Sequence, residues 1–287
     1  MSHITAPTPA MPLARPARKW RSPEIVLGLA LMALLVGAAA AAPLLATHDP
    51  IAQDMLARLK GPSAEHWLGT DNFGRDTFSR ILYGLRLSMI VAVASTALAA
   101  VLGVAVGILS GFQGGWIDRG LSALNDVLMS IPQLVAGIII VALLGPGVVN
   151  LIIALAVTAF PAFYRMARAE ALSLREREYV DACRVLGYSN ARIMFRHLLP
   201  ETQSELLVVA TLWMATAVRT EASLSFIGLG APPPTATLGG LVRAGFDNLL
   251  QLPGLTLWPS LAIFVLMIGL NILGDGLRDA ADPRSAS

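Results

Sequence analysis

The feature that most constrains this chain is a series of apolar segments, each close to 20 residues long. A helix of about 20 residues, rising about 1.5 Å per residue, crosses about 30 Å of hydrocarbon. Charged residues make up only 14% of the sequence, whereas soluble domains carry about 25%. The sequence therefore predicts an all-α membrane protein with six transmembrane helices: Ile25–Ala46, Leu87–Gly111, Leu121–Leu144, Val148–Tyr164, Leu206–Phe226 and Leu257–Leu277.

The third and the first of these segments carry additional signals. Pro132 lies inside the third, and a proline removes one backbone donor and crowds the preceding turn, so we expect a bend there. The first follows a Pro- and Ala-rich tail with four basic residues, which is also how a signal peptide begins. Because its apolar run is longer than a typical signal-peptide core, we interpret Ile25–Ala46 as an uncleaved helix.

Basic residues are distributed unequally between the two sides of the membrane. With the N-terminus inside, the inner segments hold fourteen Lys and Arg residues and the outer segments hold six. Loops rich in Lys and Arg stay in the cytoplasm, so both termini are expected there. The largest group lies between the fourth and fifth helices: Arg165, Arg168, Arg175, Arg177, Arg184, Arg192 and Arg196.

The predicted helices divide the chain into four regions. Residues 1–22 form a cytoplasmic tail, and residues 23–86 contain the first helix and a long outer segment. Residues 87–277 form the core, and residues 278–287 form a second cytoplasmic tail. Another outer segment, from about Ile227 to Pro253, contains GLGAPPPTATLGG, whose glycines and prolines exclude a simple helix.

Several kinds of chemistry have no support in the sequence. Neither of the two lysines, Lys19 and Lys60, follows the Gly-rich loop that cradles phosphate in a P-loop. Energy from ATP would therefore have to enter through another chain. Cys183 is the only cysteine, which excludes an internal disulfide. The four histidines are scattered without the spacing of metal ligands, and no cofactor is predicted.

The segment EREYVDACRVLGYSNARIMFRHLLP, residues 176–200, contains two short helical patterns separated by a glycine. Gly187 occupies the place where a left-handed residue ends a helix, Ser189 can cap the next helix, and Pro200 is expected to close it. One apolar stripe, with the spacing i, i+3, i+4 and i+7, is predicted on the first helix. It consists of Tyr179, Ala182, Cys183 and Leu186.

Three interpretations of this charged segment follow from the residues alone. It is either an ordinary basic cytoplasmic loop, a DNA-binding helix-turn-helix, or a docking element that passes motion from a soluble partner to the membrane helices. Tethering at both ends and the acidic residues among its arginines disfavour DNA binding, and no nucleic-acid partner is predicted. A compact helical elbow joined to two membrane helices suits the docking role.

The same segment resembles the EAA loop of permease subunits of ATP-binding-cassette importers. In that pattern Glu-Ala-Ala is followed after three residues by Gly, and later by Ile, one residue and Leu-Pro. The matching residues are Asp181, Ala182, Cys183, Gly187, His197, Leu199 and Pro200. Three more segments resemble "C"-type permeases for dipeptides, oligopeptides and nickel: HWLGTDNFGRDTFSRILYGLRLS (66–88), EASLSFIGLGAPPP (221–234) and NILGDGLRDAADPR (271–284). The chain departs from this subfamily at Glu201, at Leu238-Gly239 and at Arg219.

The resemblance implies a type I importer transmembrane domain in the bacterial inner membrane, with an EAA coupling loop at residues 165–202. It implies a transport subunit rather than an enzyme, with ATP hydrolysis in partner subunits. The implied partners are a second, different permease subunit, two ATPase subunits and an extracytoplasmic substrate-binding protein, besides membrane lipid. The implied cargo is a dipeptide, an oligopeptide or a related solute. The residues assigned to ATPase coupling are Tyr179, Asp181, Ala182, Cys183, Gly187 and Ser189.

Three charged residues lie within or at the edge of apolar segments: Asp126, Arg219 and Glu221. A charge in hydrocarbon costs several kcal/mol unless it is paired or faces water. They therefore either line the translocation path or reach an interface or a partner. Arg219 and Glu221 are two residues apart on one helix and are not expected to face each other.

Two rival functions are distinguishable from an ATP-driven permease. A stand-alone, ion-coupled secondary transporter would use intramembrane carboxylates and often inverted repeats, and no repeat is found here. A membrane-tethered DNA-binding regulator would need specific DNA binding by residues 165–202, which is not expected.

Overall fold

The computed structural model describes residues 23–281, and the regular elements within this range are helices. Residues 1–22 and 282–287, which hold most of the two predicted tails, lie outside the described residues. The helices are α1 (Pro23–Ala40), α2 (Ala42–Leu45), α3 (Thr77–Gln113), α4 (Gly115–Ser130), α5 (Gln133–Leu144), α6 (Val148–Leu174), α7 (Glu178–Val185), α8 (Asn190–Ile193), α9 (Leu199–Glu201), α10 (Gln203–Phe226), α11 (Leu238–Phe246) and α12 (Gly254–Ala281).

The helical membrane architecture predicted from the sequence is confirmed. By length and composition, α3, α6 and α12 can each cross a membrane, and α4 with α5 would make a fourth, broken span. Helix α1 is apolar but shorter. Helix α10 has 24 residues and holds three charged side chains, Glu205, Arg219 and Glu221. The count of six spans therefore stays a prediction.

The third predicted span is broken rather than bent. Its two halves, α4 and α5, meet at an angle of 92°. Ile131 and Pro132 between them have extended backbone, with ψ of 126° and 133°. Residues before proline avoid the helical region, and proline cannot donate the next helical hydrogen bond. The sequence located the break correctly and underestimated its size.

One predicted boundary, the start of the EAA loop, differs from the structure because a helix continues past its apolar part. Helix α6 runs on to Leu174, so residues 165–174 of the predicted EAA loop extend the fourth span as helix. Helix α3 begins at Thr77, where the carboxylate of Asp76 caps the amide of Ser79. It then runs unbroken into the second predicted span.

The segment from Ile227 to Pro253 contains a helix that the glycines and prolines concealed. Residues 228–237 are not helical, as predicted, but Thr237 then starts α11 by accepting a hydrogen bond from the amide of Gly240 at 3.0 Å. The prediction that GLGAPPPTATLGG excludes a helix is therefore wrong for its last three residues. A capping threonine outweighs two glycines in the first turn.

Helix α3 packs against α6 along a row of glycines spaced four residues apart. A Cβ atom built on Gly107 would lie 2.5 Å from the carbonyl oxygen of Tyr164, and one on Gly111 would lie 2.5 Å from that of Arg168. The third member, Gly103, faces Phe163 at 2.7 Å. Small residues every four positions let two helix backbones approach closely. This seam fixes α6, and the chain that follows it, against α3.

The segment between α2 and α3 is held by buried ion pairs. Asp71 Oδ2 accepts a hydrogen bond from Arg75 Nε at 2.7 Å, and Arg80 Nε lies 3.5 Å from the same oxygen. The Arg80 guanidinium also donates to the carbonyl of Pro50 at 2.8 Å. These contacts hold the Gly69–Asp76 stretch in place as a polar turn before α3.

Candidate functional site

The candidate site is the elbow, defined as residues 175–202, which joins α6 to α10. Its first helix, α7, ends in a Schellman motif: the amide of Tyr188 donates to the carbonyl of Cys183, and that of Gly187 to the carbonyl of Arg184, both at 3.0 Å. Gly187 has φ of +77°, the left-handed conformation that this motif requires. The predicted role of Gly187 in ending the helix is confirmed.

The predicted apolar stripe on α7 is displaced by about one position. Val180 and Cys183 are the residues that face the interior, whereas Ala182 is exposed and Leu186 is 70% exposed. Tyr179 is half-buried. The spacing of apolar residues alone does not fix which flank of a short helix packs inward. Here the packing surface offered by α3 and α6 decides it.

The second half of the elbow is a chain of short helical turns. The Ser189 hydroxyl accepts a hydrogen bond from the amide of Arg192 at 3.3 Å, as its predicted capping role requires. Helix α8 passes into a π-helical turn, Met194–Leu198, and then into α9. Pro200 lies in the first turn of α9 instead of closing the preceding helix. Pro200 cannot donate the bond that would continue the π-helical pattern, in which the amide of Leu199 donates to the carbonyl of Met194.

The elbow shares one apolar core with α3 and α6. From the elbow, the core includes Val180, Cys183, Ile193, Met194 and Leu198. From α3 and α6, it includes Val104, Ile108, Phe112, Ala167, Ala171 and Leu174. The Arg184 guanidinium carbon also lies 5.6 Å from the centre of the Phe112 ring. The elbow is therefore packed on the ends of α3 and α6 and is not a loose connection.

The face of the elbow turned away from this core is apolar and charged. Val185 is 88% exposed and Phe195 is 61% exposed. Leu186, displaced outward as described above, is also exposed. Arg184 Nη1 donates to Asp181 Oδ1 at 2.8 Å in an exposed contact on α7. Exposed apolar side chains with a polar rim are typical of protein–protein contact surfaces. Sequence reasoning missed Val185 and Phe195.

The predicted coupling residues divide into an exposed and a buried group. Asp181, Ala182, Gly187 and Ser189 are exposed, whereas Cys183 is buried in the shared core. Burial and the nearby carboxylate of Glu201 raise the pKa of the Tyr179 hydroxyl above its ordinary value. Its oxygen finds no hydrogen-bond partner among the residues that the structure describes. The exposed four are open to solvent, whereas Cys183 packs in the shared core.

A polar latch ties α3, α4 and α6 together beside the elbow. We define it as Ser110, Asp118, Tyr164 and Arg168. Arg168 Nε and Nη2 donate to the two carboxylate oxygens of Asp118 at 2.6 and 2.7 Å. The Ser110 hydroxyl donates to the same carboxylate at 2.6 Å and lies 2.8 Å from the Tyr164 hydroxyl. Bidentate Arg–carboxylate pairs are strong and directional. The sequence indicated Arg168 only as one of the basic residues between the fourth and fifth predicted helices.

The three residues predicted for a translocation path are not brought together. Asp126 is exposed on α4. Arg219 is exposed on α10 and lines a cavity of about 290 Å³ between α10, α11 and α12. Glu221 is buried and only 1% exposed. Arg219 and Glu221 point in different directions, as their spacing predicted.

Glu221 joins two helices through its carboxylate. One oxygen accepts a hydrogen bond from the Ser88 hydroxyl of α3 at 2.7 Å, and the other accepts one from Ser225 at 2.8 Å. A buried carboxyl group in a membrane helix needs such partners because an unpaired one is costly. The spacing of Glu221 and Ser225 suits one helix face, but the partner on α3 could not be read from sequence.

A larger cavity, of about 620 Å³, lies at the other end of the molecule from the elbow. It opens between the start of α3 and the loop that precedes α11. Its polar lining includes Asn72, Arg75, Arg80, Ser225 and Arg243.

The chain is similar to proteins of known classification over most of its length. Residues 103–287 match the family described as "Binding-protein-dependent transport system inner membrane component". The dipeptide transport system permease protein DppC of Alkalihalophilus pseudofirmus is 39% identical, over 91% of this chain and 86% of that relative. The glutathione transport system permease protein GsiD of Pectobacterium atrosepticum is 40% identical, over 79% and 76%. A putative peptide transport system permease protein of Brucella abortus is also 40% identical, over 96% and 93%.

The fold is also that of a solved transporter. The MetNI methionine ABC transporter in an inward-facing conformation matches with a TM-score of 0.56 at 20% identity, over 71% of this chain and 97% of that chain. The importer fold implied by the sequence resemblance is thereby confirmed. On the family match and on the identity to these permeases, the chain belongs to the inner membrane components of binding-protein-dependent transport systems.

Proposed function

We propose that this chain is the membrane permease subunit of an ATP-driven importer of peptides, and that the elbow receives the energy from ATP. The names of the dipeptide, glutathione and peptide permeases that it resembles support the cargo class. The observation that carries the proposal is the elbow itself. It presents exposed residues outward while its other face shares a core with α3 and α6.

The proposed mechanism is alternating access driven from the elbow. An ATPase subunit contacts Asp181, Ala182, Gly187 and Ser189 together with the exposed apolar side chains around them. When the two ATPase subunits close on ATP, they push the elbow. Because protein interiors are close-packed and transmit displacement, the shared core moves α6 and α3 with it.

The proposed assembly contains a second, different permease subunit, two ATPase subunits and an extracytoplasmic binding protein. In this arrangement the elbow and both termini face the cytoplasm, and the large cavity faces the binding protein. Asp126, Arg219 and Glu221 remain candidates for the translocation path. Glu221 would contribute after the helices rearrange, since it is buried between α3 and α10 in the conformation described.

The proposal is tested by reconstituting the chain with its partner subunits in vesicles and measuring ATP-dependent uptake of a labelled dipeptide. Charge reversal by Asp181→Lys is expected to reduce both co-purification of the ATPase subunits and uptake. Glu176→Lys is the matched control, because Glu176 is an exposed carboxylate just before α7 and outside the predicted coupling set. Uptake driven by an ion gradient in vesicles holding this chain alone would contradict the proposal. So would normal uptake by Asp181→Lys.

A further inference from the structure

The structure brings two histidines and a glutamate together in the segment between α2 and α3. One ring nitrogen from His48, one from His66 and a carboxylate oxygen of Glu65 all lie within 4.8 Å of one another. The two imidazole rings have their centres 4.5 Å apart and are tilted by 34°. His48 is far from the other two in sequence, which is why the spacing of histidines gave no metal pattern.

A buried carboxylate fixes the orientation of His66. Its Nδ1 lies 2.9 Å from Asp76 Oδ1, and Asp76 is itself held in place as the cap of α3. With the proton of Nδ1 donated to Asp76, the lone pair of Nε2 is free. A carboxylate that orients a histidine in this way is the usual outer shell of a protein metal site.

The same carboxylate network orients His48. Its Nδ1 lies 3.1 Å from the Thr47 hydroxyl, which donates to Asp76 Oδ2 at 3.2 Å. Its backbone amide donates to the Ser79 hydroxyl at 3.1 Å. Both rings are therefore positioned through hydrogen bonds at Nδ1, and both leave Nε2 as the candidate ligand atom.

We infer that His48, Glu65 and His66 bind a divalent cation of the zinc class. Two imidazoles and one carboxylate are the ligands of three-residue zinc sites, which keep a fourth position open. Calcium and magnesium prefer oxygen ligands alone. Glu65 is exposed and His66 is 8% exposed, so an ion can enter from solvent and complete its coordination with water. A bound ion would link the chain just after α2 to the middle of the segment that leads to α3.

The experiment uses the purified full-length chain in detergent, without a histidine tag, and Co²⁺ and Zn²⁺ as probes. We expect one Co²⁺ per chain, with the intense visible absorption of tetrahedral or five-coordinate cobalt, and its displacement by Zn²⁺. Zn²⁺ is also expected to raise the thermal unfolding midpoint, because a ligand that binds only the folded state stabilises it.

Variants separate this site from binding elsewhere. His48→Gln, His66→Gln and Glu65→Gln are each expected to lower Zn²⁺ affinity by at least about 10-fold. Asp76→Asn is expected to lower it by about 10- to 100-fold, as loss of an outer-shell carboxylate does, while asparagine still caps α3. His197→Gln and Asp247→Asn, both at described residues outside the cluster, are the matched controls.

Two results would overturn the inference. One is the absence of stoichiometric Co²⁺ or Zn²⁺ binding by the folded wild-type chain. The other is binding that persists unchanged in all three ligand variants. Glu65→Gln keeps the test informative if a histidine variant fails to fold, because Glu65 is exposed and outside the Asp76 network.

Discussion

A single backbone conformation at Gly187 sets the direction in which the elbow turns. A Cβ atom at this position would meet no other atom within 4 Å, so space does not require glycine there. The requirement comes from φ of +77°, which costs an L-amino acid about 1–2 kcal/mol. Asparagine tolerates this conformation far better than a β-branched residue does.

We therefore expect Gly187→Val to uncouple ATP hydrolysis from transport while the subunit still assembles in the membrane. Gly187→Asn is expected to retain most of the uptake. The measurement is ATP-dependent dipeptide uptake by the reconstituted importer, with the amount of assembled complex determined in parallel. Normal uptake by Gly187→Val would count against this role, and so would equal losses in the two variants.

The latch between Asp118 and Arg168 is the second residue-scale feature that invites a test. Arg168→Lys retains the charge but loses the bidentate geometry, and hydrogen bonds to charged groups are worth about 1.5–3 kcal/mol. Because the Arg168 side chain is 33% exposed, we expect Arg168→Lys to lower the free energy of unfolding by an amount near the lower end of that range.

A double-mutant cycle of Arg168→Lys and Asp118→Asn, read by unfolding in detergent, measures this coupling. The two variants together should lower the free energy of unfolding by less than the sum of their separate effects, since each disrupts the same bidentate pair. Strict additivity would mean that the latch contributes nothing as a pair.

At the scale of elements, the glycine seam between α3 and α6 holds α6, and the elbow that follows it, against α3. Gly107→Leu would place a side chain where the carbonyl of Tyr164 lies 2.5 Å from the new Cβ. Backbone cannot move aside as a flexible side chain can, so we expect destabilisation at or above the 1–3 kcal/mol usual for overpacking.

The matched control is Gly120→Leu on α4, where a new Cβ meets nothing within 4 Å. Both proteins are compared by the midpoint of thermal unfolding in detergent and by the yield of assembled importer. We expect a lower midpoint and yield for Gly107→Leu alone. Similar midpoints for the two variants would show that the seam tolerates separation.

The sequence predicted elements well wherever apolar length or a capping residue was the deciding factor. Asp76, Gly187 and Ser189 act at helix ends as their residue types suggest. The start of α11 was missed although Thr237 caps it, because the two glycines that follow argue against a helix. The size of the break at Pro132 depends on how α4 and α5 lie relative to each other, which local sequence does not encode.

The sequence predicted where the site lies along the chain but not which side of α7 packs inward. The Asp181–Gly187 pattern identified the elbow, whereas the inward side of α7 is set by Val180 and Cys183 against α3 and α6. The partner of Arg168 lies fifty positions away in sequence, beyond the reach of any periodicity. The spacing of Gly103, Gly107 and Gly111 was visible and could have indicated the seam.

At the scale of the whole molecule, three kinds of contact join the elbow and the helices around it to one another. The shared apolar core fixes α7 to α3 and α6, the latch adds α4, and Glu221 joins α3 to α10 through Ser88. Helix α3 takes part in all three. In the proposed mechanism, a displacement at the elbow would reach α10 through α3 as well as directly along the chain.

The proposed orientation gives the last prediction, and the single cysteine makes it testable. Cys183 is buried, and Cys183→Ser provides a background without cysteine. In that background, Asn190→Cys places a thiol on the exposed surface of the elbow. Asp247→Cys places one at the exposed residue that directly follows α11. With the elbow inside, a membrane-impermeant maleimide should label Asp247→Cys in intact spheroplasts and Asn190→Cys only after the membrane is opened. Labelling of both cysteines from outside, or of Asn190→Cys alone, would contradict the orientation inferred from the distribution of arginines.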